Sequence, residues 1–238
     1  MLNILESNPF RVLGVYANSK PAEIVSNCDE MEAYLSIDQS VAFDLDLDNL
    51  MQPVVRSIDS VANAKKQINL PKDKLKHALF WLVKDSSSSH ALNHLKNGDF
   101  DSANSVFEID DSFSTRINQA VVAMIQDDLG TAIALTTELI HDDELCDDFV
   151  KAICGDAFLI AEDELAHLYI DSLLEEVSAL ELLELFDENG TSVADDDYLK
   201  EKAIGEPISR INAEIAKAKA VKRDGADANY RAGKVLMN

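Results

Sequence analysis

The sequence predicts an all-α protein, with a three-helix head, a body of antiparallel helical hairpins and a long carboxy-terminal helix. Three observations carry this. Glycine and proline number only 8 and 5 in 238 residues, below the roughly 7% and 5% of average usage, too few for a turn-rich β fold. Apolar residues make up 47% of the chain and recur mostly at steps of three and four, the helical period. Two stretches in the middle repeat one helix-turn-helix outline at a fixed offset. A chain of this length and apolar content can bury a core of its own, which argues against disorder.

In the head, Ser19 is the expected N-cap and Pro21 the first turn of a helix whose stripe is Ile24, Cys28, Met31 and Leu35. The next stretch alternates Val41, Phe43, Leu45 and Leu47 with Ala42, Asp44, Asp46 and Asp48. That is the period of an extended segment with the aspartates on its wet side. A second helix is predicted over 48–68, with Pro53 in its first turn and Ile58, Val61 and Ala62 facing inward. It stops at Leu70-Pro71. A third helix follows, with Leu75, Leu79 and Leu82 flanked by Ala78 and Trp81.

The run DSSSSH at 85–90 reads as a short linker. Beyond it, a helix, an Asn97-Gly98 turn and a helix are matched 29 residues later, Leu129 standing for Phe100 and Ala132 for Ala103. Stacked helix pairs of this kind are the tetratricopeptide pattern, though its usual period is roughly 34 residues. Further amphipathic stretches are expected at 143–154, 157–169 and 171–186. From about residue 196 a last helix carries Ile204, Ile208, Ile211, Ile215 and Ala218, a seam that needs a partner helix. The expected units are 1–84, 85–190 and 191–238. The last ends without a capping residue, as a chain that continues would.

Charge divides the chain along similar lines. The total is −23, from 21 basic and 44 acidic residues. Residues 1–84 hold 9 basic and 11 acidic side chains, 85–199 hold 3 and 28, and 200–238 hold 9 and 5. An acidic middle of this kind disfavours nucleic acid and anionic membrane surfaces as partners. Such a block reads as solvated outer helix faces that keep the protein soluble. The sharper reading is a surface that selects a basic partner, in one version the chain's own Lys217, Lys219, Lys222 and Arg223. The amino terminus lacks the pattern of a secretory signal, and no apolar run reaches the roughly 18 residues of a membrane span. Three cysteines without CxxC spacing fit a reducing compartment. A cytoplasmic protein is expected.

Motifs of chemistry are weak. Residues 44–55 place carboxylates at positions 1, 3 and 5 of a calcium loop, but Asn49 replaces the glycine and Val55 the final glutamate. His90 and His94 share a helix face at the spacing of a zinc pair. No third ligand stands near them in sequence, so they read as two exposed helix histidines. Cys146 lies among Asp142, Asp143, Asp147 and Asp148, whose charge disfavours a thiolate. GxSxG, GxGxxG and GxxxxGK[ST] do not occur. No catalytic, metal or cofactor residue is therefore assigned.

The stretch NPFRVLGVYANSKPAEIVSNCDEMEAYL resembles the opening of the J-domain, a short helix ending in LGV, a polar link and a second helix. The stretch AKKQINLPKDKLKHALFWL is similar to that family's third helix and the break after it. The resemblance covers residues 8–84, and Phe10, Leu13, Gly14, Ile24, Met31 and Leu35 match its structural positions. The whole chain also resembles bacterial proteins that open on NPFRVLGV, with a J-like head and a helical-repeat body. J-domains that stimulate Hsp70 chaperones carry His-Pro-Asp before the third helix and a basic second helix. Here residues 36–49 hold no such tripeptide, and the second helix bears Glu23, Asp29, Glu30 and Glu32. The expectation is a non-catalytic protein-interaction or adaptor role, linked to protein quality control. The alternative is a divergent co-chaperone that meets an Hsp70 through another surface. The seam Ile204, Ile208, Ile211 and Ile215 is the expected interface of the last helix.

Overall fold

The computed structural model describes residues 2–108, 111–161, 163–188 and 198–202. Among them the chain is helical and contains no strand. Two short helices, α1 (Asn3–Glu6) and α2 (Pro9–Val12), precede α3 (Pro21–Leu35), α4 (Ile58–Gln67) and α5 (Pro71–Ala78). The hairpin α6 (Ser88–Lys96) and α7 (Phe100–Phe107) is followed by α8 (Phe113–Ile125) and α9 (Leu129–His141). Then come α10 (Asp143–Cys154), α11 (Glu164–Leu173) and α12 (Ala179–Glu188). Residues 198–202 are helical. The expected interface residues Ile204, Ile208, Ile211 and Ile215, and the basic cluster after them, lie outside the described residues.

The repeat at an offset of 29 has a physical basis at its turns. Gly98 and Asp127 both take the left-handed conformation, at φ +71° and +64°. The next residue in each copy, Asp99 or Asp128, caps the following helix by accepting a backbone N–H, from Ser102 at 3.2 Å and from Thr131 at 3.0 Å. Ala103 and Ala132 are fully buried, small enough to let each hairpin close tightly.

Head and body are joined by a strap, Leu79–Lys84, that leaves α5 in a non-helical path. Leu79, Phe80, Trp81, Leu82 and Val83 are all buried. Buried backbone needs hydrogen-bond partners, and with no sheet to supply them three asparagines do so. Asn8 Nδ2 donates to the Phe80 and His77 carbonyls, and Asn18 both donates to the Lys84 carbonyl and accepts its N–H. Asn118, from the middle of the buried helix α8, does the same for Val83 at 3.0 and 2.8 Å. Ala17 N–H donates to the Leu82 carbonyl, and Trp81 Nε1–H to the Val15 carbonyl. The buried apolar residues of the head and the body form one continuous cluster.

Several expectations are corrected. Ser19 does not cap α3, which begins after Lys20 with Pro21 at its first position. The second helix of the head starts at Ile58, not near Asp48. Ser57 and Ser60 form its capping box, so Pro53 precedes the helix. Its inward face is Val61, Ala64 and Ile68, while Ile58 and Ala62 are exposed. The third helix ends at Ala78. The serine run is a folded turn in which Asp85 Oδ1 accepts from Ser87 N–H and Ser88 Oγ. The predicted helices at 157–169 and 171–186 lie at 164–173 and 179–188.

Asn118→Leu is expected to destabilise the protein by roughly 2–4 kcal/mol, since it leaves a buried N–H and a buried C=O unpaired. Urea unfolding checks this, and a loss below about 1 kcal/mol would mean that α8 does not hold the strap.

Candidate functional site

The segment between α3 and α4 has little regular structure, and buried charge pins it down. Asp46 lies in a 3-10 turn at Asp44–Asp46 and is buried, not on a wet face as its alternation with leucine predicted. Its side chain is 5% exposed and that of its partner Arg56 is 2% exposed. Arg56 Nη1 donates to Asp46 Oδ2 at 2.8 Å and Nη2 to Oδ1, a two-pronged ion pair. The other guanidinium protons go to the carbonyls of Val12 (2.8 Å), Val41 (3.1 Å) and Arg11 (3.1 Å).

Arg11 is also buried, and it donates to the Asp46 and Gln52 carbonyls at 2.7 Å and to Glu6 at 3.0 Å. Burial pulls its pKa below the ordinary value, while Asp48 and Asp46 oppose that shift. Phe43 stacks against the Arg56 guanidinium, 5.0 Å from its ring centroid, and closes over Gly14. A Cβ on Gly14, which sits at φ +64°, would lie 2.3 Å from the Phe43 ring. Only glycine fits both the conformation and the space. Leu47, also left-handed at φ +51°, is held there with its side chain buried.

Phe10, Leu13 and Met31 are fully buried, and Ile24 and Leu35 are half-buried against the core. Around the pinned segment, apolar side chains remain exposed at the end of α3 (Tyr34 and Ile37) and before and at the start of α4 (Val55 and Ile58).

The lysines of the head's basic helix α5 are engaged with groups of the body. Along α5, Lys72 pairs with Glu164, Lys76 pairs with Glu175 at 2.8 Å, and Lys74 Nζ donates to the Ile153 carbonyl near the end of α10. Burial lowers the Lys74 pKa. From the body, Glu176 accepts the N–H groups of Asn3 and Ile4 at the start of α1. Acidic groups left outward include those of α3 (Glu23 half-buried, Asp29, Glu30 and Glu32 exposed) and those of α10. On α10, Asp143, Glu144, Asp147 and Asp148 are exposed, and Lys151 answers Asp147 at 3.3 Å.

The three cysteines are free, and burial is the largest cause raising each thiol pKa. Asp147 and Asp143 add to that at Cys146. His94 Nδ1 lies 3.1 Å from Asp99, and its Nε2 lies 3.3 Å from Nε2 of His90, contacts that the sequence spacing did not reveal. Among the described residues no group of three or more His, Cys, Asp or Glu side chains converges as a metal site. The gap between Tyr16, Val83, Leu92 and Phe107 is too narrow to admit even a water molecule, so it is no ligand pocket. No described helix is long and apolar enough to cross a membrane. Residues 198–202 sit on α11, where Tyr198 Oη donates to Asp171 at 2.7 Å and stacks on His167, Lys202 pairs with Asp171, and Leu199 is buried.

Compared with protein-family models, with curated proteins and with solved structures, the chain finds no match in any of the three.

Sequence reasoning missed Arg11, Asp46, Arg56 and Asn118. The one available signal was their type: lone arginines inside otherwise apolar runs, and an asparagine within the apolar stretch of α8. Replacing Arg56 by Met is expected to cost roughly 3–5 kcal/mol, because it strands a buried carboxylate. Arg56→Lys should not rescue, since one ammonium cannot make the fork of contacts. Urea melts of both variants read this, and a rescue by lysine would refute it.

A second expectation concerns acid. His77 on α5 has a buried Nδ1 without a hydrogen-bond partner. Burial first, and Lys76 second, lower its pKa from 6.5 to about 4. The unfolded chain therefore takes up this proton at higher pH than the folded one does. Stability from this group is complete above about 6.5 and falls as pH drops toward about 4. His77→Gln should flatten the stability profile over that window in thermal melts, and an unchanged slope would contradict the assignment.

Proposed function

We propose that the protein is a non-catalytic adaptor of the reducing cytoplasm, which binds a partner protein with a basic surface in a protein quality-control setting. One observation carries the reading: the outer face of α10 presents Asp143, Glu144, Asp147 and Asp148 to solvent with little internal compensation. Clustered like charge of this kind steers and selects an oppositely charged partner. The acidic face of α3 adds to the same field. The three free, protonated thiols accord with a reducing compartment. The J-like head belongs to this reading as a scaffold. The lysines of α5 are engaged with the body, and α3 is acidic, so the head offers a basic-surface partner more than the acidic surface an Hsp70 presents to ordinary J-domains.

The test is capture from native lysate with tagged full-length protein at low and high salt. A specific partner with a basic surface should be retained at low salt and released at high salt. Asp147→Lys combined with Asp148→Lys should weaken capture on the order of tenfold or more, since reversed charges set like against like. Circular dichroism confirms that the variant is folded. Capture indifferent to both salt and charge reversal overturns the reading. Recovery of an Hsp70 whose ATP hydrolysis the protein accelerates would favour the divergent co-chaperone instead.

A further inference from the structure

Helices α3 and α4 of the head run antiparallel. Arg56, just before α4, donates to the Val41 carbonyl beyond the end of α3 at 3.1 Å, while Lys65 near the end of α4 acts on the thiol of Cys28 in the middle of α3. The end of α3 and the start of α4 therefore lie together. Four of the eight large apolar side chains that stand exposed among the described residues gather there, namely Tyr34, Ile37, Val55 and Ile58, with Val55 86% and Ile37 62% exposed. Single apolar side chains are ordinary on a surface, whereas a group of them rimmed by polar residues marks an interaction site. The rim here has one sign of charge. Glu30, Glu32, Asp38 and Asp59 are exposed, and among the described residues none of them has an ion pair. Arg11 and Arg56, the cations of this end, are buried and spent on Asp46 and on backbone carbonyls. Those contacts hold the segment between the helices, and Asn49 anchors it further by donating to the Leu95 and Lys96 carbonyls at the end of α6, so the surface is preorganised. We propose, resting on the basic partner argued above, that this end of the head is the docking surface for a basic amphipathic helix of that partner protein.

The other occupants of such a patch meet an obstacle in the same residues. An anionic membrane is repelled by four uncompensated carboxylates. A second copy docked by two-fold symmetry sets those carboxylates against themselves. Strand addition needs a sheet edge, and the described residues contain no strand. A helix with apolar side chains on one stripe and lysines or arginines on its flanks answers both features at once: its anchors cover Tyr34, Ile37, Val55 and Ile58, and its cations reach the rim.

The probe is a fluorescein-labelled Leu/Lys peptide patterned as an amphipathic helix, titrated with the full chain and followed by anisotropy, with a Leu/Glu twin as control. The Lys peptide should bind and the Glu twin should not. Amide NMR should place the shifts it causes on residues 30–40 and 54–62. Val55→Ser with Ile58→Ser, and separately Glu30→Lys with Glu32→Lys, should each weaken binding by about tenfold or more. All four side chains are exposed, so these variants keep the fold, which circular dichroism checks. No binding of the Lys peptide, or shifts confined to α10, overturns the surface. Binding that appears only after Lys217, Lys219, Lys222 and Arg223 are changed to Glu gives the surface to the chain's own tail and overturns it equally. The two readings fail separately: salt-sensitive capture from lysate that survives Val55→Ser with Ile58→Ser, but not Asp147→Lys with Asp148→Lys, keeps the adaptor and removes this docking surface.

Discussion

The structure depends on burying a strap that has no regular secondary structure of its own. Leu79 to Val83 are all buried, and Trp81 and Phe80 are among the largest fully buried side chains of the described residues. Their backbone amides and carbonyls must be paired once water is excluded. The chain meets this with amide side chains drawn from three distant places, Asn8, Asn18 and Asn118. Because Asn8 and Asn18 belong to the head and Asn118 to the central helix of the body, satisfying the strap also ties the two together. The stacking of Phe80 on Tyr169 of α11, with centroids 5.4 Å apart, extends the same joint.

A second device of the same logic holds the segment between α3 and α4. Arg11 and Arg56 spend most of their donors on backbone carbonyls; Arg56 also grips the buried Asp46 carboxylate, while Arg11 holds the Asp46 carbonyl. Two guanidinium groups can organise an irregular loop this way because each offers five fixed donors. The cost of burying charge is offset by that many contacts. The surface bears the consequence. With α5's lysines paired to Glu164, Glu175 and the end of α10, their charge is compensated by the body, while the outward faces of α3 and α10 stay acidic. That sorting of charge is the basis for reading the protein as a partner of basic surfaces.

How much of this was legible varies by element. The stripe Cys28 and Met31 and the offset-29 hairpins could be read because a helix buries one face at a fixed period. The left-handed Gly98 and the capping aspartates after each turn reinforced the same pattern. The start of α4 was misread because Pro53 is a legitimate first-turn residue, and nothing local says that Arg56 will pull 48–57 into a loop. Asp46 was placed on the wet side because alternation treats every carboxylate as solvated, whereas this one has a buried arginine ten residues on. The shared helix face of His90 and His94 was plain from their spacing, but Asp99's contact with His94 depends on how sharply the Asn97-Gly98 turn returns the chain.

The sequence by itself determined that this is an all-helical chain, where most of its helices lie, how its charge is apportioned along its length and that its two central hairpins share one design. These follow from short-range periodicity and from turn and capping chemistry, which act over a few residues. Only the tertiary structure decided which polar side chains are buried, which lysines are spent inside and which carboxylates remain outside. Those outcomes depend on partners the fold brings together, 10 positions apart for Asp46 with Arg56, 35 for Asn118 with Val83 and 99 for Lys76 with Glu175, and desolvation gives no local mark on the residues it will enclose.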